Sequence, residues 1–121
     1  MLEKYNPNEE YFYYKECKCG GFSYLQYLIV HYHKIDNCLQ LIKEDIKNND
    51  INYINHKNEL EWTALALACY NPNSSSEIVK LLIQNGADIN IKNNLGWTPL
   101  LIACCNPNSS SEIVKLLIQN G

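Results

Sequence analysis

The sequence predicts an all-α fold, a solenoid of stacked helix-turn-helix units with projecting loops. Three observations carry that expectation. Sixteen residues, NPNSSSEIVKLLIQNG, occur letter for letter at Asn71–Gly86 and again at Asn106–Gly121. The register of thirty-five extends beyond them, placing Trp62 on Trp97, Thr63 on Thr98, Leu65 on Leu100 and Ala68 on Ala103. Within each copy the apolar residues recur at helical spacing. Self-similarity at a period of about 20–50 residues marks a stacked-repeat architecture, in which no unit buries its own apolar face without a neighbour.

The elements follow in chain order. Residues 1–21, MLEKYNPNEEYFYYKECKCGG, read as a Tyr/Cys-rich arm or short helix covering the first unit; seven of the nine tyrosines lie before residue 33. Residues 22–61 read as a degenerate capping repeat. Ser23 with Gln26 forms a capping box, opening a helix with Leu25, Leu28, Ile29 and Tyr32 on one face. Leu39, Ile42 and Ile46 supply the inward face of a second helix, so this pair is expected at about 24–47. Asn55, Lys57, Asn58, Leu60 and Trp62 match Asn90, Lys92, Asn93, Leu95 and Trp97 at the same offset of thirty-five.

Residues 62–96 form a full unit. Thr63 caps a short helix carrying Leu65, Leu67 and Ala68, and the helix stops near Asn71-Pro72, because Pro disfavours helical geometry in the residue before it. Ser74 with Glu77 is a second capping box. It opens a helix with Ile78, Leu81 and Leu82 inward and Lys80 and Gln84 outward, and Gly86 suits a left-handed C-cap. The pair is expected at about 63–84. ADINIKNNLGW then reads as an extended, hairpin-like loop. Residues 97–121 repeat the unit in truncated form, with helices at about 98–119. The last helix keeps Ile113, Val114, Leu116, Leu117 and Ile118 unchanged from the interior copy. Terminal repeats of stable stacks carry a polar outer face. Part of this apolar surface is therefore expected to be exposed, with self-association through the uncapped C-terminal repeat.

Bulk properties narrow the function classes. A chain of 121 residues supports one domain, and 46% apolar residues are ordinary for a soluble fold. Net charge is −3 with no Arg, so the basic footprint of a nucleic-acid binder is absent. No apolar run approaches the roughly 20 residues that span a bilayer, and MLEKYNPNEE has no apolar h-region. The expected setting is intracellular, in the cytoplasm. Six cysteines are then better read as small buried hydrophobes than as a disulfide framework, since several sit beside alanines in helical patterns.

The ordered motifs resemble the ankyrin repeat. Gly96-Trp97-Thr98-Pro99-Leu100 with Ala103 and Glu112-Ile113-Val114-Lys115-Leu116-Leu117 carry the likeness in one copy. Trp62-Thr63-Ala64-Leu65, Ala68, Glu77 to Leu82 and Gly86-Ala87-Asp88-Ile89-Asn90 carry it in the other. The Asn-rich style is similar to ankyrin proteins of giant DNA viruses and amoebae. Three departures stand out. The family's His after Thr-Pro-Leu is Leu101 here and Ala66 in the earlier copy, which removes a loop-bracing hydrogen bond. The turn between the helices is longer by two residues. In the first copy Ala64 replaces Pro and Glu61 replaces the loop Gly.

The resemblance implies a non-catalytic protein-interaction module. The contacts it suggests, at loop tips and on the concave helix surface, are Lys57, Glu59, Leu60, Trp62, Tyr70, Asn71, Asn85, Lys92, Asn94, Leu95, Trp97, Cys105 and Asn106. Trp62 and Trp97 are expected to face the same way on neighbouring units, either holding the stack or forming an aromatic binding strip. The alternative is a zinc-binding adaptor built on Cys17, Cys19, His31, His33 and Cys38. Its spacing is poor, because Cys-x-Cys is not the usual structural pattern and two histidines two apart on a helix point about 200° from each other. The Ser triplets offer phosphorylation sites, but capping already accounts for them. No nucleophile motif, phosphate loop or metalloprotease signature appears, so no catalytic, cofactor or metal residue is assigned.

Overall fold

A computed structural model describes residues 12–14, 17–19, 21–71, 76–106 and 111–121, the first two segments as backbone only. The segment before residue 22 carries a small hairpin rather than a helix: β1 (Phe12–Tyr14) pairs antiparallel with β2 (Cys17–Cys19), Phe12 opposite Cys19. Its aromatic residues favour an extended backbone.

The Ser23 capping box forms as expected. Ser23 Oγ accepts from Gln26 N at 3.1 Å, and Gln26 Oε1 accepts from Ser23 N at 3.2 Å. It opens α1 (Tyr24–Val30), which ends at His31, so Tyr32 falls in a 3-10 turn (Tyr32–Lys34) rather than on the helix. Asn37, with φ 57, turns the chain into α2 (Cys38–Lys47); Asn is one of the few residues that tolerate this region. A short helix, α3 (Ile51–Ile54), follows with Asp50 as N-cap. It places Tyr53 so that its hydroxyl donates to Asp45 at 2.6 Å and accepts from Leu25 N at 3.0 Å. One first-turn N–H of α1, which has no partner inside its own helix, is thereby satisfied. Burial holds the Asp45 carboxyl above its usual range, with the Tyr53 hydrogen bond acting in the opposite direction.

Two units then follow. α4 (Ala64–Tyr70) and α5 (Ser76–Gln84) form one pair, α6 (Pro99–Cys105) and α7 (Ser111–Asn120) the next. Thr63 and Thr98 cap the leading helices, each hydroxyl accepting from the N–H three residues on. The proposed cap at Ser74 lies outside the described residues. At the far end of α5, Ala87 N donates to Leu82 O and Gly86 N to Ile83 O. This is the Schellman closure, with Gly86 at φ 98. A Cβ there would also come within 2.8 Å of Ile51 Cδ1, and the exposed Ile51 side chain would have to shift.

The helices stack in two rows. α4 packs between α1 and α6, and α5 lies between α2 and α7. One continuous core runs through the stack, from Leu25, Leu28 and Ile29 through Ile42, Leu65, Leu67, Ile78 and Leu82 to Ile102, Ile113 and Leu117. Where a following pair covers a unit, Val79 is fully buried; its equivalent Val114 is only half-buried, and Ile118 is 62% exposed.

Side-chain amides tie the rows together. Asn71 Nδ2 donates to Ile29 O at 2.8 Å and Val30 O at 3.3 Å, the last carbonyls of α1. Thirty-five residues on, Asn106 Nδ2 donates to Cys69 O at 3.1 Å and Tyr70 O at 3.0 Å, the last carbonyls of α4. In α1 and α4 two terminal carbonyls are thus satisfied by the next unit, which also fixes the spacing between units.

Candidate protein-binding face

The loops before α4 and α6 share one internal design. Asn58 Oδ1 accepts from Leu60 N and Trp62 N, both at 3.0 Å, while Asn58 N donates to Trp62 O. Asn93 does the same for Leu95 and Trp97, at 2.9 and 3.0 Å. Both asparagines are buried, and each folds its loop into a turn that delivers a tryptophan to the start of the leading helix. Asn94 N donates to Leu60 O across the two loops at 3.1 Å. Asn55 spans them lower down, donating to Gly86 O and accepting from Asp88 N.

The two tryptophans then diverge. Trp62 is half-buried, and its ring meets Tyr70 edge-on, centroids 5.2 Å apart at 70°. Tyr70 is the last residue of α4. The last residue of α6 is Cys105, which is exposed, and Trp97 stands 36% exposed with no ring partner among the described residues. Beside it Leu95 is 63% exposed. Lys57, Glu59, Lys92 and Asn94 are exposed around the loop tips, and Leu60 is half-buried. Asn85 is exposed but closes its own helix by donating to Leu81 O.

Asn71 and Asn106 are placed differently from the other contact candidates. Their amides are spent on the carbonyls of the preceding leading helix, and Asn71 is buried. Gln26 was not singled out for its amide. Fully buried, its Nε2 donates to His56 O at 2.8 Å and Trp62 O at 3.1 Å, bracing the first loop. The equivalent capping-box positions in α4 and α6 are Ala66 and Leu101, which have no donor to offer. A Gln at a position where the resemblance implies His was the available signal.

In the Cys/His cluster, Cys38 is buried and its thiol donates to Leu28 O at 3.2 Å. Burial pushes that thiol up to about 11. His31 packs on the Tyr27 ring, centroids 4.7 Å apart. The side chains of Cys17 and Cys19 lie outside the described residues. Among the described residues no helix is long and apolar enough to cross a membrane.

Residues 25–121, most of the chain, match the family described as Ankyrin repeats (3 copies). The chain belongs to the ankyrin repeat family. Two ankyrin repeat proteins of Acanthamoeba polyphaga mimivirus are similar to it. One is 39% identical over 100 residues, which is 73% of this chain and 17% of that protein. The other is 38% identical over 87 residues, 70% of this chain and 14% of that protein. The chain thus spans less than a fifth of either relative's length. Ankyrin repeats are a generic protein-interaction module.

Proposed function

We propose that this chain is a non-catalytic, intracellular protein-binding module whose partner docks on the loop bases and leading-helix face around Trp97. The exposure of Trp97 carries the reading. A large aromatic residue whose backbone is held by two hydrogen bonds to Asn93, and which stays 36% exposed, has the character of an interface anchor. Leu95 adds apolar surface, and Lys57, Glu59, Lys92 and Asn94 form a polar rim of mixed charge. Trp62, occupied by Tyr70, serves the stack first.

The test places a photo-crosslinking residue at Leu95 or, as control, at the outward-facing Lys80, and exposes each chain to an Acanthamoeba extract. The expected result is a discrete adduct at position 95 that is competed by unlabelled chain and lost when Trp97 is changed to Ala. Equal adducts at both positions, or adducts indifferent to Trp97, would defeat the reading.

A further inference from the structure

The two units supply a template for what sits against Trp97. Their frames coincide: Thr63 and Thr98 are N-caps with φ/ψ of −91/169° and −81/162°, and Asn71 and Asn106 are C-caps at −71/118° and −88/112°. Each leading helix is seven residues long, each tryptophan is pinned by the same asparagine contact, and each C-cap amide reaches back to the same two carbonyls of the previous helix. Within that shared frame the residue at the end of the leading helix differs in kind. The helix-end residue whose ring meets the first indole is Tyr70, and its counterpart thirty-five residues on is Cys105. No ring stands against Trp97 among the described residues, and the exposed Cys105 takes the place of the tyrosine.

We infer that the partner fills this slot with an aromatic side chain, standing against Trp97 as Tyr70 stands against Trp62. The recognised chemistry is an exposed Phe or Tyr on a protein partner, with its ring edge directed at the indole. The inference rests on reading the Trp97 face as the docking face, and it adds the identity of the anchor. An aromatic edge-to-face pair has a preference beyond its buried area, so the slot should discriminate an aromatic ring from a saturated ring of the same size.

Cys105 makes this testable without the partner. The unmodified chain is equilibrated, under partially reducing conditions, with equimolar 2-phenylethyl and 2-cyclohexylethyl disulfides of a common leaving thiol. Peptide mapping then reads the adducts at each cysteine. At Cys105 the phenyl adduct should exceed the cyclohexyl adduct by about threefold or more, the scale of an edge-to-face contact. Exposed Cys104, next door on α6 but with no template ring, should show no such preference. Trp97→Leu should remove the preference at Cys105. If that variant does not fold, the comparison of Cys105 with Cys104 in the unmodified chain still decides. Equal adducts at Cys105, or the same preference at Cys104, would overturn the slot. Neither result touches the crosslinking at position 95, so the slot can fail while the docking face stands.

Discussion

The letters SEIVKLLIQ fold into helix at Ser76–Gln84 and again within Ser111–Asn120, yet the two helices do not share one environment. In α5, which has α2 on one side and α7 on the other, Ile78, Val79 and Leu82 are all fully buried. In α7, Ile113 and Leu117 remain buried while Val114 is half-buried and Ile118 is open. The face turned to the preceding pair and to α6 is therefore the same in both copies, and the face turned the other way differs. Burial in this fold belongs to the contact between units as much as to the segment, which is the nearest-neighbour logic of a repeat stack. The same comparison holds for the leading helices, where Leu65 is 1% exposed and its counterpart Leu100 is 36% exposed.

The largest expected effect breaks that last pair apart. Leu65→Ala should cost about 3–4 kcal/mol, in the range for a buried leucine, whereas Leu100→Ala should cost roughly 1–2 kcal/mol because about a third of that residue already meets water. Urea denaturation of the two variants measures the difference. Equal losses would mean that the units are energetically alike despite their surroundings.

The tryptophans come next. Trp62→Ala removes a half-buried indole and leaves the Tyr70 ring without its mate, for a loss of about 2–3 kcal/mol, below the value for a fully buried aromatic. Trp97→Ala should cost only about 1 kcal/mol. The same denaturation experiment separates them, and a loss at Trp97 as large as at Trp62 would make both tryptophans structural.

A third contrast lies in the loops. Gln26→Ala removes the side-chain donor from His56 O, while Trp62 O keeps Asn58 N, and should cost about 1–2 kcal/mol. The loop before α6 has no such brace, because Ala66 stands where Gln26 stands, and Asn93 Nδ2 is buried there without a partner. Amide hydrogen exchange should therefore be faster at Leu95 than at Leu60 in the unmodified chain. In Gln26→Ala the two should approach each other; unchanged exchange at Leu60 would show that the brace is not what holds the first loop.

Much of this was legible in the letters, and the limits have physical reasons. The helix pairs follow from the thirty-five-residue register and from the Thr63 and Ser23 caps, because a repeated amphipathic pattern with caps leaves the backbone few choices. The β1–β2 pair and the short helix α3 are not legible in the letters; both are too short to show a period. Asn71 and Asn106 were visible as repeated residues, but their partners lie about forty residues back and no local pattern reveals a long-range amide contact. The split between Trp62 and Trp97 was also hidden. It depends on Tyr70 against Cys105, eight residues further on, and only the folded helix brings ring and indole together.

The smallest effect concerns a single backbone angle shared by the two loops. Gly96 has φ 80, and Glu61, thirty-five residues earlier, has φ 62. Only glycine adopts this region freely; a residue with a Cβ gives up about 1–2 kcal/mol there. Replacing it with glycine also loosens the unfolded chain, which offsets about 0.4–1 kcal/mol. Glu61→Gly should therefore stabilise the protein by roughly 0.5–1 kcal/mol, and Gly96→Ala should destabilise it by a similar amount. Steric clash does not enter the second case, since a Cβ on Gly96 would meet nothing within 4 Å. Both shifts should appear as changes in the denaturation midpoint with the slope unchanged. The sign is the informative part. A loss of stability in Glu61→Gly would mean that the exposed Glu61 side chain contributes more to its loop than the strain of its backbone costs.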